Sequence, residues 1–127
     1  MKVHDELKYT ENDEWVKVDG DVATMGITDY AQEQLSDVVF IEILVAEGDE
    51  VHAGDSCATV ESVKAAADVY LPISGKIVGV NDSLADTPEL INSDPYGSAW
   101  MVKIEISSPS ELDNLMNSDS YQTKIQE

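Results

Sequence analysis

Short runs of alternating apolar and polar residues, broken every few positions by turn-forming residues, make up most of the chain. Trp15-Val16-Lys17-Val18 and Val22-Ala23-Thr24-Met25 flank Asp19-Gly20, a two-residue turn signal, and predict a hairpin. After Gly26-Ile27, Thr28 or Asp29 can cap a short helix near residues 28–35, with Ala31 and Leu35 four apart on one face. Val38 to Val45 is rich in β-branched residues and reads as a strand.

Beyond it, Glu47-Gly48-Asp49, Ala53-Gly54-Asp55 and Ser74-Gly75-Lys76 punctuate short apolar segments at the regular intervals of a small barrel or sandwich. Gly48-Asp49-Glu50-Val51 is echoed by Gly75-Lys76-Ile77-Val78, so a glycine-led turn opens a strand on each side of a centre near residue 64. Residues 81–99 read as loop. Trp100, Val102, Ile104 and Ile106 then alternate with Met101, Lys103 and Glu105, a half-buried strand that places Met101 on the polar side. Ser108-Pro109-Ser110-Glu111 has the form of a capping box ahead of a helix with the stripe Leu112, Leu115 and Met116. Tyr121 and Ile125 offer one further turn, with a fraying end. The fold class is α+β, β-dominated, with short helices near residues 28–35 and at the C-terminus.

The chain has 127 residues, the size of one domain, with a core over about 15–106 and a helical extension over about 108–125. No apolar run approaches the ~18 residues that span a bilayer. Met1-Lys2-Val3-His4-Asp5-Glu6 lacks the features of a secretory signal or transit peptide, which points to the cytoplasm. Seven lysines stand against 26 acidic residues, a formal charge of −19. Phosphate backbones and anionic lipid would repel such a chain, so nucleic-acid and membrane partners are disfavoured and basic protein surfaces favoured. The same acidity serves equally as a solubility coat. A single Cys57 excludes an internal disulfide and any CxxC pair.

Catalytic machinery is sparse. His4 and His52 are the only imidazoles, and Cys57 has no base partner by sequence and reads as a small strand residue. There is no GxxxxGK[ST] or GxGxxG run, no EF-hand pattern and little to ligate a transition metal. A domain with this inventory binds or carries something; no catalytic or metal-ligating residue is assigned.

Lys64 stands out because it lies at the centre of the echo, in Thr59-Val60-Glu61-Ser62-Val63-Lys64-Ala65-Ala66-Ala67-Asp68-Val69-Tyr70, between strand-like halves. Its ordinary reading is an exposed hairpin lysine. The surrounding residues resemble the H-proteins of the glycine cleavage system, within the lipoyl/biotinyl carrier superfamily. The resemblance runs through Glu14-Trp15-Val16, Gly26-Ile27-Thr28-Asp29-Tyr30-Ala31, Asp37-Val38-Val39-Phe40, Glu61-Ser62-Val63-Lys64-Ala65, Pro72-Ile73-Ser74-Gly75, Pro88-Glu89-Leu90-Ile91-Asn92 and Asp94-Pro95-Tyr96-Gly97, ending at Trp100. It implies a lipoyl-carrier hybrid barrel/sandwich with pseudo-twofold halves, and (R)-lipoate in amide linkage to Lys64 at a hairpin tip. Roughly a dozen bonds from Cα to the dithiolane, each advancing ~1.2 Å, give a reach of ~14 Å.

The resemblance implies a carrier and not an enzyme, probed in turn by glycine decarboxylase (P-protein), an aminomethyltransferase (T-protein) and dihydrolipoamide dehydrogenase (L-protein). The first would load an aminomethyl group, the second remove it, and the third take electrons from the arm. A lipoate-protein ligase or octanoyl/lipoyl transferase would install the group, with Glu61 and Asp68 flanking the tip as its recognition residues. Glu14 and Gln34 are the positions implied for docking the loaded arm, and the chain is expected to be monomeric. Departures from the family pattern include Asp13 and Gln34 where histidines occur, Ser36 in place of a common glycine, and an altered turn at Leu44-Val45-Ala46-Glu47. Biotin carriers are disfavoured by Val63 and Ala65, where methionines are usual. A lipoyl carrier for sulfur oxidation or lipoyl relay, an unmodified acidic interaction module and a small Cys57 hydrolase remain as alternatives.

Overall fold

The predicted N-terminal hairpin forms, with its turn one residue later than expected. In the computed structural model, which describes residues 3–126, β2 (Glu14–Asp19) pairs antiparallel with β3 (Val22–Ile27), and Asp19 faces Val22. The loop residues are therefore Gly20 and Asp21, with a positive φ of 63° only at Gly20, the sign pattern of a type II′ turn. Met1, Lys2 and Glu127, which the single-domain reading includes, lie outside the described residues.

Two antiparallel sheets carry the fold. The larger has the order β1 (Lys8–Tyr9), β2, β3, β9 (Val102–Ile106), β8 (Gly75–Val80), β5 (Glu50–Val51); the smaller has β4 (Val38–Ile43), β6 (Ser56–Ser62), β7 (Ala66–Tyr70). Alternation sends Val16, Met25, Ile77 and Ile104 from the first sheet, and Ile41, Ala58, Val60 and Val69 from the second, into one buried cluster. The expected hybrid thus takes the form of two sheets sharing a core. Helix α1 (Asp29–Leu35) starts at Thr28, whose hydroxyl accepts from the Ala31 N–H at 3.2 Å, the predicted cap. Among the described residues no helix is long and apolar enough to cross a membrane.

The echoed segments lie side by side. Gly48 N–H donates to the Ile77 carbonyl and Ile77 N–H to the Asp49 carbonyl, both at 2.8 Å, and Glu50 pairs opposite Lys76. Antiparallel pairing of this kind carries a local twofold axis. The two glycines nevertheless serve different ends: Gly48 turns the chain at φ 96°, whereas a Cβ on Gly75 would collide with the Glu105 carbonyl on the neighbouring strand.

Two expectations at the C-terminal end need correction. Met101 is fully buried, just before β9 begins. Pro109–Asn114 forms 3-10 turns without a capping box, because the Glu111 carboxylate accepts from Ser74 N–H at 2.7 Å and Ser74 Oγ at 2.9 Å instead of reaching back to Ser108. The further turn offered by Tyr121 and Ile125 does form, while its expected fraying end at Glu127 lies outside the described residues: α3 (Ser118–Ile125) is capped by Asn117 and buries Tyr121 against Tyr9, with ring centroids 4.4 Å apart and planes 4° from parallel. A second apolar cluster of Leu7, Tyr9, Trp15 and Tyr121 therefore ties the C-terminal helix to the start of the larger sheet.

Candidate functional site

Lys64 occupies the tip of the β6–β7 hairpin. The register pairs Glu61 with Ala66 and Thr59 with Asp68, leaving Val63, Lys64 and Ala65 as the turn. Every backbone donor of that turn is held. Val63 N–H donates to the Asp37 carbonyl at 3.0 Å, while Ser62 Oγ accepts from Lys64 N–H at 3.1 Å and Ala65 N–H at 3.0 Å. The same hydroxyl donates to the Ala65 carbonyl at 3.1 Å. Ser62 is thus the residue that shapes the tip, and its short side chain is suited to turn capping. Lys64 is exposed, and among the described residues its ammonium enters no ion pair or hydrogen bond. A rigid backbone presents a free primary amine.

Alongside β7 runs a groove of about 190 Å³. Asn12, Asp13 and Glu14 form one end, Ile27, Ala31, Gln34 and Leu35 one wall, and Val60, Ala67, Asp68 and Val69 the other. Ala67 to Val69 lies three to five residues beyond Lys64, roughly 10–17 Å along an extended strand. The groove therefore brings together three of the sequence-predicted residues, Glu14, Gln34 and Asp68, and its near part at Ala67 and Asp68 lies within the span of the expected arm. Glu61 is not among its lining residues; it is exposed and alternates with the buried Val60, which puts it on the outer face of the small sheet.

Glu14 differs from the ordinary expectation of a surface acid on an edge strand. It is 1% exposed, with Oε1 accepting from Thr10 Oγ at 2.6 Å and Oε2 from the Tyr70 backbone N–H at 3.1 Å. Burial raises its pKa above the usual glutamate value; the hydrogen bonds from Thr10 and Tyr70 oppose that shift and the charge of Asp13 adds to it. Glu14 also borders a larger cavity of about 440 Å³ on the far side of Tyr70.

The Asp13 end of the groove is braced from behind. Tyr121 donates its hydroxyl proton to Asp13 Oδ1 at 3.0 Å and accepts from Thr28 Oγ at 2.6 Å, while Lys124 Nζ lies 3.4 Å from the same carboxylate oxygen. Asp13, with φ 67°, is thus bound to the start of α1 through Tyr121, 108 residues away in sequence. Thr10, Tyr70, Ser62 and Tyr121 were not singled out by sequence; only the four-residue spacing of Tyr121 and Ile125 pointed toward this arrangement.

Cys57 is buried, and burial together with the nearby Glu14 charge pushes its thiol up to about 12, so it is a protonated core residue at neutral pH. Among the described residues, no group of three or more His, Cys, Asp or Glu side chains is placed to hold a metal ion.

Residues 7–127 match the family model described as glycine cleavage H-protein. The chain is 52% identical over 122 residues to a glycine cleavage system H protein from Carboxydothermus hydrogenoformans, covering 96% of this chain and 93% of that one. It is 51% identical over 127 residues to the one from Staphylococcus epidermidis, covering both chains completely at 100%. A crystal structure of a glycine cleavage system H protein from Mycobacterium marinum matches the fold with a TM-score of 0.87 at 34% identity, covering 96% of this chain and 98% of that one.

Proposed function

The chain belongs to the glycine cleavage H-protein family, and from that premise we propose that it is the lipoyl carrier of a glycine cleavage system, with Lys64 as the attachment point. It is a carrier component and not itself an enzyme. The observation that supports the attachment point most strongly is the free, exposed amine on a fully hydrogen-bonded tip, beside an apolar groove that ends in a buried carboxylate.

The residues present fit the group. Amide formation would replace the ammonium with an uncharged arm, and Ala65 and Ala66 leave the tip open to an enzyme cleft. Ile27, Ala31, Leu35, Val60, Ala67 and Val69 offer the arm an apolar lining, while Glu14, Asp68 and Gln34 supply polar groups along it. When bound, a lipoyl group supplies a disulfide that accepts a one-carbon amine unit and electrons. Glu14 would hold a cationic arm end by a charge-assisted contact that excludes water. Partners under this reading are glycine decarboxylase, the aminomethyltransferase, dihydrolipoamide dehydrogenase and a lipoate-attaching enzyme, with Glu61 and Asp68 flanking the tip. We read residues 1–127 as one carrier domain working in a reducing cytoplasm, consistent with a buried free Cys57.

Intact mass after co-expression with a lipoate ligase tests the attachment. The mass should rise by one lipoyl group, and Lys64→Arg should abolish the rise; an unmodified wild-type chain overturns the reading. The lipoylated protein should then support glycine–bicarbonate exchange by the decarboxylase, and its failure to do so would move the chain to another lipoyl-dependent pathway.

A further inference from the structure

The small sheet has one face in the core and one in solvent. Its outer face, the irregular start of β4 and the hairpin tip carry exposed apolar side chains: Phe40 is 46% exposed, Val39 55% and Val63 69%. Phe40 stands beside Glu61 across the β4–β6 ladder, and Glu42 beside Thr59, so carboxylates of Glu42, Glu61 and Asp68 rim the apolar centre. The only lysine on this sheet and its turn is Lys64. The patch is continuous with the tip, since Val63 N–H is held by the Asp37 carbonyl at the entry to β4.

Charge selects the occupant. A second copy would set acids against acids between chains of formal charge −19 each, whereas a basic surface gains from the same rim. Reach narrows it further. An enzyme acting at the end of a ~14 Å arm can stand well away from the hairpin, but one that acylates Nζ must come within ~6 Å of the Lys64 Cα, about five bonds. Only the acylating enzyme is obliged to cover Val63 and the adjoining sheet face. Resting on the assignment of Lys64 as the attachment point, we propose that the outer face of β4–β6–β7 is the docking surface for the enzyme that acylates this lysine, and that this enzyme meets it with an apolar patch rimmed by arginine and lysine.

The reaction served is acyl transfer from an activated lipoyl donor, a mixed anhydride of the carboxyl group with a nucleotide phosphate. The Lys64 ammonium gives up a proton, and the freed lone pair forms the C–N bond. The bond from the carbonyl carbon to the phosphate oxygen breaks with its electron pair leaving on the nucleotide. A second proton departs from nitrogen, and no oxidant or reductant is needed.

Lipoylation kinetics with a lipoate ligase, lipoate and ATP, followed by intact mass at varied carrier concentration, test the surface. Phe40→Ser should raise KM about tenfold, the loss typical of truncating a central aromatic anchor, with kcat within about twofold. Val39→Ser should act in the same direction, and being more exposed it carries the test if Phe40→Ser fails to fold. Glu42→Lys should raise KM and flatten its dependence on salt. Val78→Ser, an exposed position at 37% on the other sheet, should change neither parameter. Direct titration of Lys64→Ala carrier into ligase should show the same weakening on adding Phe40→Ser, without any chemistry. A normally acylated wild type whose KM ignores both Phe40→Ser and Val39→Ser overturns the docking face alone. A Phe40-dependent dimer in sedimentation reassigns the face to a second copy and overturns it too, whereas a wild type that is never acylated overturns the Lys64 assignment itself.

Discussion

Ser36 closes α1 at φ 68° and ψ −150°, a region of backbone space used almost only by glycine. Its backbone is pinned there from both sides: the N–H donates to the Gln32 carbonyl at 3.0 Å, and the carbonyl accepts from Asn92 Nδ2 at 2.8 Å. The side chain is exposed. A Cβ in this region costs of order 1–3 kcal/mol. Glycine would remove that cost but give back about 0.5–1 kcal/mol through its freer unfolded chain. Ser36→Gly should therefore stabilise the protein by about 0.5–2 kcal/mol, against the general trend for glycine substitutions. At roughly 3–5 °C per kcal/mol for a chain of this size, Tm should rise by about 1.5–10 °C. Thermal melts and urea titrations of wild type, Ser36→Gly and Ser36→Ala check this, with Ser36→Ala keeping the Cβ and staying within about 0.5 kcal/mol of wild type. A Ser36→Gly protein no more stable than Ser36→Ala would refute the argument. The site bears on function because α1 forms the groove wall that carries Ala31, Gln34 and Leu35.

The C-terminal brace and the buried acid yield two further predictions. Tyr121→Phe leaves Thr28 and Asp13 without the hydroxyl that joins them and should cost about 1.5–3 kcal/mol in urea denaturation, with faster amide exchange in α3; an unchanged midpoint would remove the brace. Glu14 has a folded-state pKa raised by burial, so the folded protein binds its proton more tightly than the unfolded chain does. Its contribution to stability is present in full below the ordinary glutamate pKa and is lost as pH rises through the raised value. Relative to Glu14→Gln, wild type should lose stability from about pH 4 toward neutrality; parallel stability–pH curves would contradict the assignment.

Much of the fold was legible because it is written in local patterns. Period-two alternation marked β2, β3 and β9, Thr28 announced the start of α1, and the residues around Lys64 announced a tip. What escaped was fixed by distant partners. Glu111 sits where a capping box should use it, yet Ser74, 37 residues away, supplies a backbone and a hydroxyl donor to the same carboxylate. Met101 alternates as a polar-face residue but precedes the strand, so the period does not govern it. Glu14 looks like any strand-edge acid, and only the return of β7 past it, bringing the Tyr70 N–H within 3.1 Å, makes it a buried group. The short C-terminal helix has weak local propensity and is ordered by the Tyr9–Tyr121 stack.

The two sets of acids on this molecule answer different physical demands. Glu42, Glu61 and Asp68 are exposed, so each is screened by solvent and acts on a partner mainly through summed long-range attraction. Glu14 is desolvated and committed in part to the fold, one oxygen to Thr10 and the other to Tyr70. A carboxylate offers about four lone-pair directions, so about two remain for a ligand without breaking either bond. Under the proposed function this is what a shuttle requires. A cationic arm end relieves part of the cost of keeping Glu14 ionised in a buried place, yet the carboxylate keeps its structural bonds when the arm departs. Were Glu14 without those two donors, the empty groove would hold an uncompensated buried charge, and release of the arm would be opposed by the carrier itself. Thr10 and Tyr70 thus set how tightly the groove can hold its occupant.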